Sequence, residues 1–204
     1  MKVKVEQFRD EVIALRPVYT DRGNATEMWL NSGEILLDMR GMKAVLSALA
    51  GIYAVDLKTQ HKQLREFLNH GGILPFYLGR RVFIPLKMRQ AITENDVVYG
   101  YVDLDYVKGL DGEKKERNCW VRLKTGQAIH LYSNITTAVS SRHRGEKVAE
   151  WLKGEQAGKE EEIKVMEPLL KLVQSLQLIA ERLERLDLAI AEDEGEYTHL
   201  SCGE

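Results

Sequence analysis

The chain has 204 residues and a hydrophobic content of 44%, enough apolar material for one medium domain or a domain with an appendage, which excludes wholesale disorder. Its 29 basic and 31 acidic residues give a net charge of −2, a total that taken alone argues against a nucleic-acid binder. Cut after Gly154, however, it separates into a basic body with 24 Lys/Arg against 18 Asp/Glu, net +6, and an acidic tail with 5 against 13, net −8.

The first residues, Met1 to Phe8, carry charge without the apolar run of a signal peptide, and the longest apolar stretch, Ala44 to Val55, is too short to span a bilayer. Cys119 and Cys202 lie far apart and suggest neither a disulfide framework nor a CxxC site. The expectation is a cytoplasmic protein with no membrane partner, in which the sequons at Asn24 and Asn134 have no role.

In chain order, residues 11–19 read as a strand, followed by turn residues Asp21 to Asn24. A hairpin follows, Thr26–Asn31 and Glu34–Met39 joined at Ser32-Gly33, and then a helix over Met42–Ala50 with Val45, Leu46 and Leu49 on one face. Asp56–Asn69 has apolar residues at helical spacing, and His70-Gly71-Gly72 supplies its left-handed terminus. Ile73–Leu78 and Val82–Met88 form a second hairpin around Gly79-Arg80-Arg81, with Pro75 and Pro85 pointing to edges or bulges. Val97–Leu104 alternates as a strand that carries Asp103 and Asp105 on one face. A charged loop, Lys108–Arg117, leads to a third hairpin, Asn118–Lys124 and Gln127–Tyr132 around Thr125-Gly126. Asn134–Leu152 is helical, with Asn134 as N-cap and Gly145 as a point where it can split. The fold class is α+β: an antiparallel, hairpin-rich β domain with short helices over residues 1–154, then a long amphipathic, coiled-coil-like helix within 155–204.

That tail has the clearest pattern. Val165, Leu169, Leu172, Leu176, Ile179, Leu183, Leu186 and Ile190 alternate at spacings of four and three, a heptad repeat without a miss. Gly154–Glu162 reads as a solvated linker and Pro168 as the first helical residue, giving a helix to Glu192 of roughly 37 Å. Leu169, Leu172, Leu176, Ile179, Leu183, Leu186 and Ile190 would join two copies into a dimer, with a tetramer left open. The alternative is packing on the chain's own domain, which Met166, Leu170, Val173, Leu178 and Ala180 favour by broadening the stripe.

Catalytic signatures are missing: there is no GxxxxGK[ST], GxGxxG after a strand, GxSxG or HExxH, and the five histidines stand apart from other metal ligands. No enzyme, cofactor or metal site is expected, Asp103 and Asp105 being the single carboxylate pair that acid–base work could use. Positive charge is better organised. Lys58, Lys62, Arg65, Arg80, Arg81, Lys87 and Arg89 face one acid, Glu66, within residues 58–89, and Arg142, Arg144 and Lys147 gather beside Ser140-Ser141. Guanidinium forks and hydroxyls suit phosphate oxygens, and arginine on the Gly79-Arg80-Arg81 turn suits a narrow A·T-rich minor groove. The candidate DNA-binding residues are therefore Arg80, Arg81, Lys87, Arg89, Arg142, Arg144 and Lys147.

The block Ile73-Leu-Pro-Phe-Tyr-Leu-Gly-Arg-Arg-Val-Phe-Ile-Pro-Leu-Lys-Met-Arg89, followed by Asp96-Val-Val-Tyr-Gly-Tyr-Val-Asp-Leu104, resembles the ComK family of competence transcription factors, in pattern and spacing over about residues 12–150. Departures are Thr125-Gly126 where the family has Asn-Gly, Tyr99 and Tyr101 where it favours tryptophan, its missing cysteines, and a heptad helix without a counterpart. Val121 to Ala138 also resembles LytTR-type regulators. The ComK resemblance implies a transcriptional regulator that contacts A·T-rich minor grooves of double-stranded DNA as an oligomer, and it identifies no DNA-contacting residue to carry over. The rival expectation is a protein-interaction adaptor oligomerised by its tail.

Overall fold

The computed structural model describes the backbone over residues 3–199 and side chains over 3–155 and 168–182. It divides into two units, Met1–Leu152 and Lys153–Glu204. In order come β1 (Val12–Thr20), β2 (Gly23–Leu30), β3 (Ile35–Asp38), α1 (Met42–Ile52), α2 (Leu57–Leu68), β4 (Phe76–Leu78), β5 (Arg81–Lys87), β6 (Tyr99–Asp103), β7 (Val107–Asp111), β8 (Cys119–Leu123), β9 (Ala128–Leu131) and α3 (Ile135–His199). The class is α+β with antiparallel sheets: a six-stranded sheet in the order β3-β2-β1-β6-β5-β4 and a three-stranded sheet β7-β8-β9.

Alternation along the strands divides the core into layers. One face of the large sheet, with Leu15, Met28, Leu30, Leu78 and Phe83, packs on Met42, Val45 and Leu49 of α1. The other, with Ile84, Leu86 and Val102, meets Val121, Leu123, Ile129 and Leu131 of the small sheet and Ala138 of α3. A register shift between Val12 and Ala14 sets two consecutive residues, Ile13 and Ala14, against the small sheet, as a bulge does. A third cluster, Leu64, Leu74, Val82, Val148 and Leu152, fixes α2 and the first part of α3 on β5, and Trp151 stacks on Phe67 at 5.3 Å between ring centroids. Both strand prolines lie beyond the end of a neighbour's ladder: Pro17 past the β1–β6 pairing, which stops at Leu15, and Pro85 past β4, which reaches only to Phe83.

Four expectations are corrected. The charged loop contains β7, hidden by Lys108, Gly109 and Asp111, whose polar and flexible character masked a strand with Val107 buried. The left-handed residue after α2 is Asn69, at φ 47°, and the following glycines do not supply it. Gly145 does not split α3: the helix runs through it, and a Cβ there would overlap Ile84 Cγ2, so the glycine is what lets the helix press on β5. Residues 154–162 are helical and not a linker, consistent with the high helix propensity of Glu, Gln, Ala and Lys, and Pro168 lies inside α3 and not at its start. Leu169, Leu172, Leu176 and Ile179 are about half exposed, at 51–57%, while Leu183, Leu186 and Ile190 lie outside the residues whose side chains are described. Among the described residues no helix is long and apolar enough to cross a membrane.

Candidate functional site

Two of the seven basic residues singled out above serve the fold. Arg81, first in β5, donates from Nε to Asp103 Oδ2 at 2.7 Å, from Nη1 to the Arg9 carbonyl at 3.1 Å and from Nη2 to the Val12 carbonyl. Its partner Asp103 is fully buried, and burial pushes that carboxyl above its ordinary range while Arg81 opposes the shift. Arg89 is only 6% exposed. It donates to the Val18 carbonyl at 3.2 Å and to Asn24 Oδ1 at 2.8 Å, and it covers the Tyr19 ring at 3.9 Å. Both guanidiniums are engaged by the fold, although Arg89 keeps a buried Nε without a partner at the wall of a cleft of about 290 Å³ and Arg81 keeps 22% exposure, and neither is carried forward as a DNA contact.

Asp103 and Asp105 do not share a strand face. Asp103 ends β6, and its Oδ1 accepts from the Asp105 amide at 3.1 Å to cap a single 3-10 turn, Leu104–Tyr106, which leaves Asp105 exposed. A pair engaged in this way, one carboxylate on an arginine and a cap, is structural.

Lys87 and Arg144 behave otherwise, for both line one cleft of about 390 Å³. Its walls are the end of β5 (Pro85, Leu86, Lys87), Tyr99 at the start of β6, the loop after α2 (His70, Gly72, Ile73) and the first turns of α3 (Asn134, Thr136, Thr137, Ser140, Ser141, Arg144). Among the described residues no carboxylate lines it. Local chemistry builds the α3 edge. Asn134 Oδ1 caps the helix by accepting from the Thr137 amide at 2.8 Å and from the Thr137 hydroxyl at 2.7 Å, and its carbonyl accepts from the Ala138 amide, so of the first four amides those of Ile135 and Thr136 have no intrahelical acceptor. Ser141 donates to the Pro85 carbonyl at 2.6 Å and Tyr132 N to the Lys87 carbonyl at 2.7 Å, which anchor α3 and the end of β9 to β5. About three helical turns on, Arg144 returns to the same wall. Its Nε is buried with no hydrogen-bond partner, and burial lowers the guanidinium pKa from its ordinary value. The Nε atoms of Arg16 and Arg89 are buried without a partner in the same way; what sets Arg144 apart is its place in the wall of the cleft with Lys87, where its guanidinium can pair with an oxyanion.

The remaining candidates lie outside the cleft. Arg142 pairs with Glu146 at 2.9 Å, Lys147 is exposed one turn beyond Arg144, and Arg80 is exposed on the β4–β5 turn beside Gly79, whose φ is 60°. His70, Tyr99, Thr136 and Thr137 were not singled out from the sequence. The signal that could have found them was Asn134 as a cap, since it puts a helix N-terminus about three turns from Arg144.

A larger cleft of about 760 Å³ adjoins through Gly72, Ile73 and Tyr99, and Glu94 and Asp96 line it; a smaller one of about 290 Å³, with Lys43 and Arg89 in its wall, has no carboxylate among the described residues but no hydroxyl-bearing side chain either, so the combination of cations with hydroxyls and no acid belongs to the first one. Among the described residues no group of three His, Cys, Asp or Glu could hold a metal ion. No protein-family model matches the chain, and no curated protein and no solved structure matches it.

Proposed function

We propose that the chain is a ComK-like DNA-binding transcriptional regulator that seats a backbone phosphate in the Lys87–Arg144 cleft and acts as a dimer or higher oligomer. The observation that carries this reading is an acid-free cleft, among the described residues, that joins two cations, hydroxyl-bearing side chains and a helix N-terminus. The cations outside it extend the footprint: Lys147 along α3, Lys58, Lys62 and Arg65 on the exposed side of α2, and Arg80 at its turn, the arginine left to enter an A·T-rich minor groove. The half-exposed stripe Leu169, Leu172, Leu176 and Ile179 is the oligomerisation surface.

The same stripe favours a second reading, a protein-interaction adaptor that uses its helix to recruit a partner. Lys87→Gln with Arg144→Gln separates the two. For a DNA regulator the double variant binds duplex more weakly, and its log Kd against log salt slope falls by about one, for the one phosphate that is no longer neutralised. An unchanged slope and affinity would remove the cleft from the interface and favour the adaptor.

A further inference from the structure

Trp120, His130 and Tyr132 form an aromatic ladder on the small sheet. Trp120 of β8 lies directly across from His130 of β9, their ring centroids 4.8 Å apart, and His130 meets Tyr132 edge-on at 4.6 Å. The residues that alternate with them, Cys119, Val121, Ile129 and Leu131, are the ones that fill the core. The ladder is therefore on the outer face, and Trp120 remains 47% exposed there. Cross-strand contact with His130 restricts the indole without covering it, which leaves a flat, pre-positioned π surface open to solvent.

Charge around the ring selects the kind of ligand. Residues 108–124 carry six basic side chains against three acidic, net +3. On the Trp120 face Asp111 is neutralised by an ion pair with Arg122, and Lys124 is exposed. An open ring within a positive field suits a polyanion that has π faces of its own, a nucleic acid with bases out of the stack. The ladder is also tied to the phosphate cleft: Tyr132 N bonds the Lys87 carbonyl, and Asn134 lines the cleft. Asn134 is four positions beyond His130, at most about 14 Å of extended chain, a span that neighbouring nucleotides of one strand can bridge.

We infer that Trp120, supported by His130 and Tyr132, stacks an unpaired nucleobase of the strand whose phosphate occupies the Lys87–Arg144 cleft. This rests on the DNA-binding reading above and extends it from the duplex to an opened or single strand. The test uses the full chain, a short single-stranded oligonucleotide, the same strand with abasic sites, and the corresponding duplex, read by anisotropy. Trp120→Ala lowers single-strand affinity about tenfold, the abasic strand shows a similar loss against the parent protein, Trp120→Phe stays within about twofold, and intact duplex is bound as before. Parent affinity that is equal for abasic and intact strands overturns the stacking site without needing any variant to fold. Equal single-strand affinity of Trp120→Ala and parent overturns it too, and if duplex binding persists in either case the proposed function stands. If the parent binds none of the nucleic acids, both readings fall together.

Discussion

Arg80 and Arg81 are adjacent in sequence, yet the start of β5 turns one to solvent and the other onto a fully buried Asp103. Removing one partner of such a pair leaves an uncompensated buried charge. Arg81→Ala is expected to cost about 3 kcal/mol, the low end of the range for buried pairs because the Arg81 side chain keeps 22% exposure, whereas Arg80→Ala leaves stability unchanged. Urea unfolding of the two variants checks this. Asp96 offers a pH test. The Tyr19 hydroxyl, with the Thr93 and Ile92 amides, holds its carboxyl down at about 2 against an ordinary 3.8. Because the folded pKa is the lower one, the contribution of Asp96 is fully present above about 3.8 and is lost as pH falls toward about 2. Asp96→Asn should therefore reduce stability at neutral pH and flatten the acid limb of the stability profile; an unaltered acid limb would show that the hydroxyl contact is not made in solution.

Elements were legible where their signals were local. The hairpin turns and the Asn134 cap of α3 each depend on a few residues that favour one backbone geometry, and each is in place. What was not legible depends on partners distant in sequence. β7 is a strand because β8 pairs with it, and Arg81 and Arg89 are internal because carbonyls from β1 and an acid on β6 or beside it come to meet them. Gly145 belongs to the same class: read alone it is a weak point in a helix, and read in the fold it is a contact with Ile84. Gly145→Ala pits a gain of about 1 kcal/mol in helix propensity against about 1–3 kcal/mol for overpacking the α3–β5 contact. Net destabilisation in chemical denaturation is expected, and a stabilised variant would mean that β5 yields without cost.

For the whole molecule, the near-neutral total of −2 is the sum of unlike parts, a +6 body that contains the cleft and a −8 tail that carries the apolar stripe. Half-exposed leucines at heptad spacing are stabilised by pairing, so Leu172→Asp with Leu176→Asp should lower the mass seen by light scattering to that of one chain, 23.3 kDa. The cleft was half legible in this picture. Lys87, Arg144 and Ser140 were marked by charge and hydroxyl chemistry, but their convergence, and the removal of Arg81 and Arg89 from the set, required the packing of α3 on β5. The most direct test of the central claim is fluorescence anisotropy of the full chain on A·T-rich and G·C-rich duplexes at two salt concentrations. Binding at micromolar protein that is tighter on A·T-rich DNA and weakens steeply as salt rises is the predicted result, since each seated phosphate releases counterions. The absence of salt-sensitive binding at that concentration would contradict it.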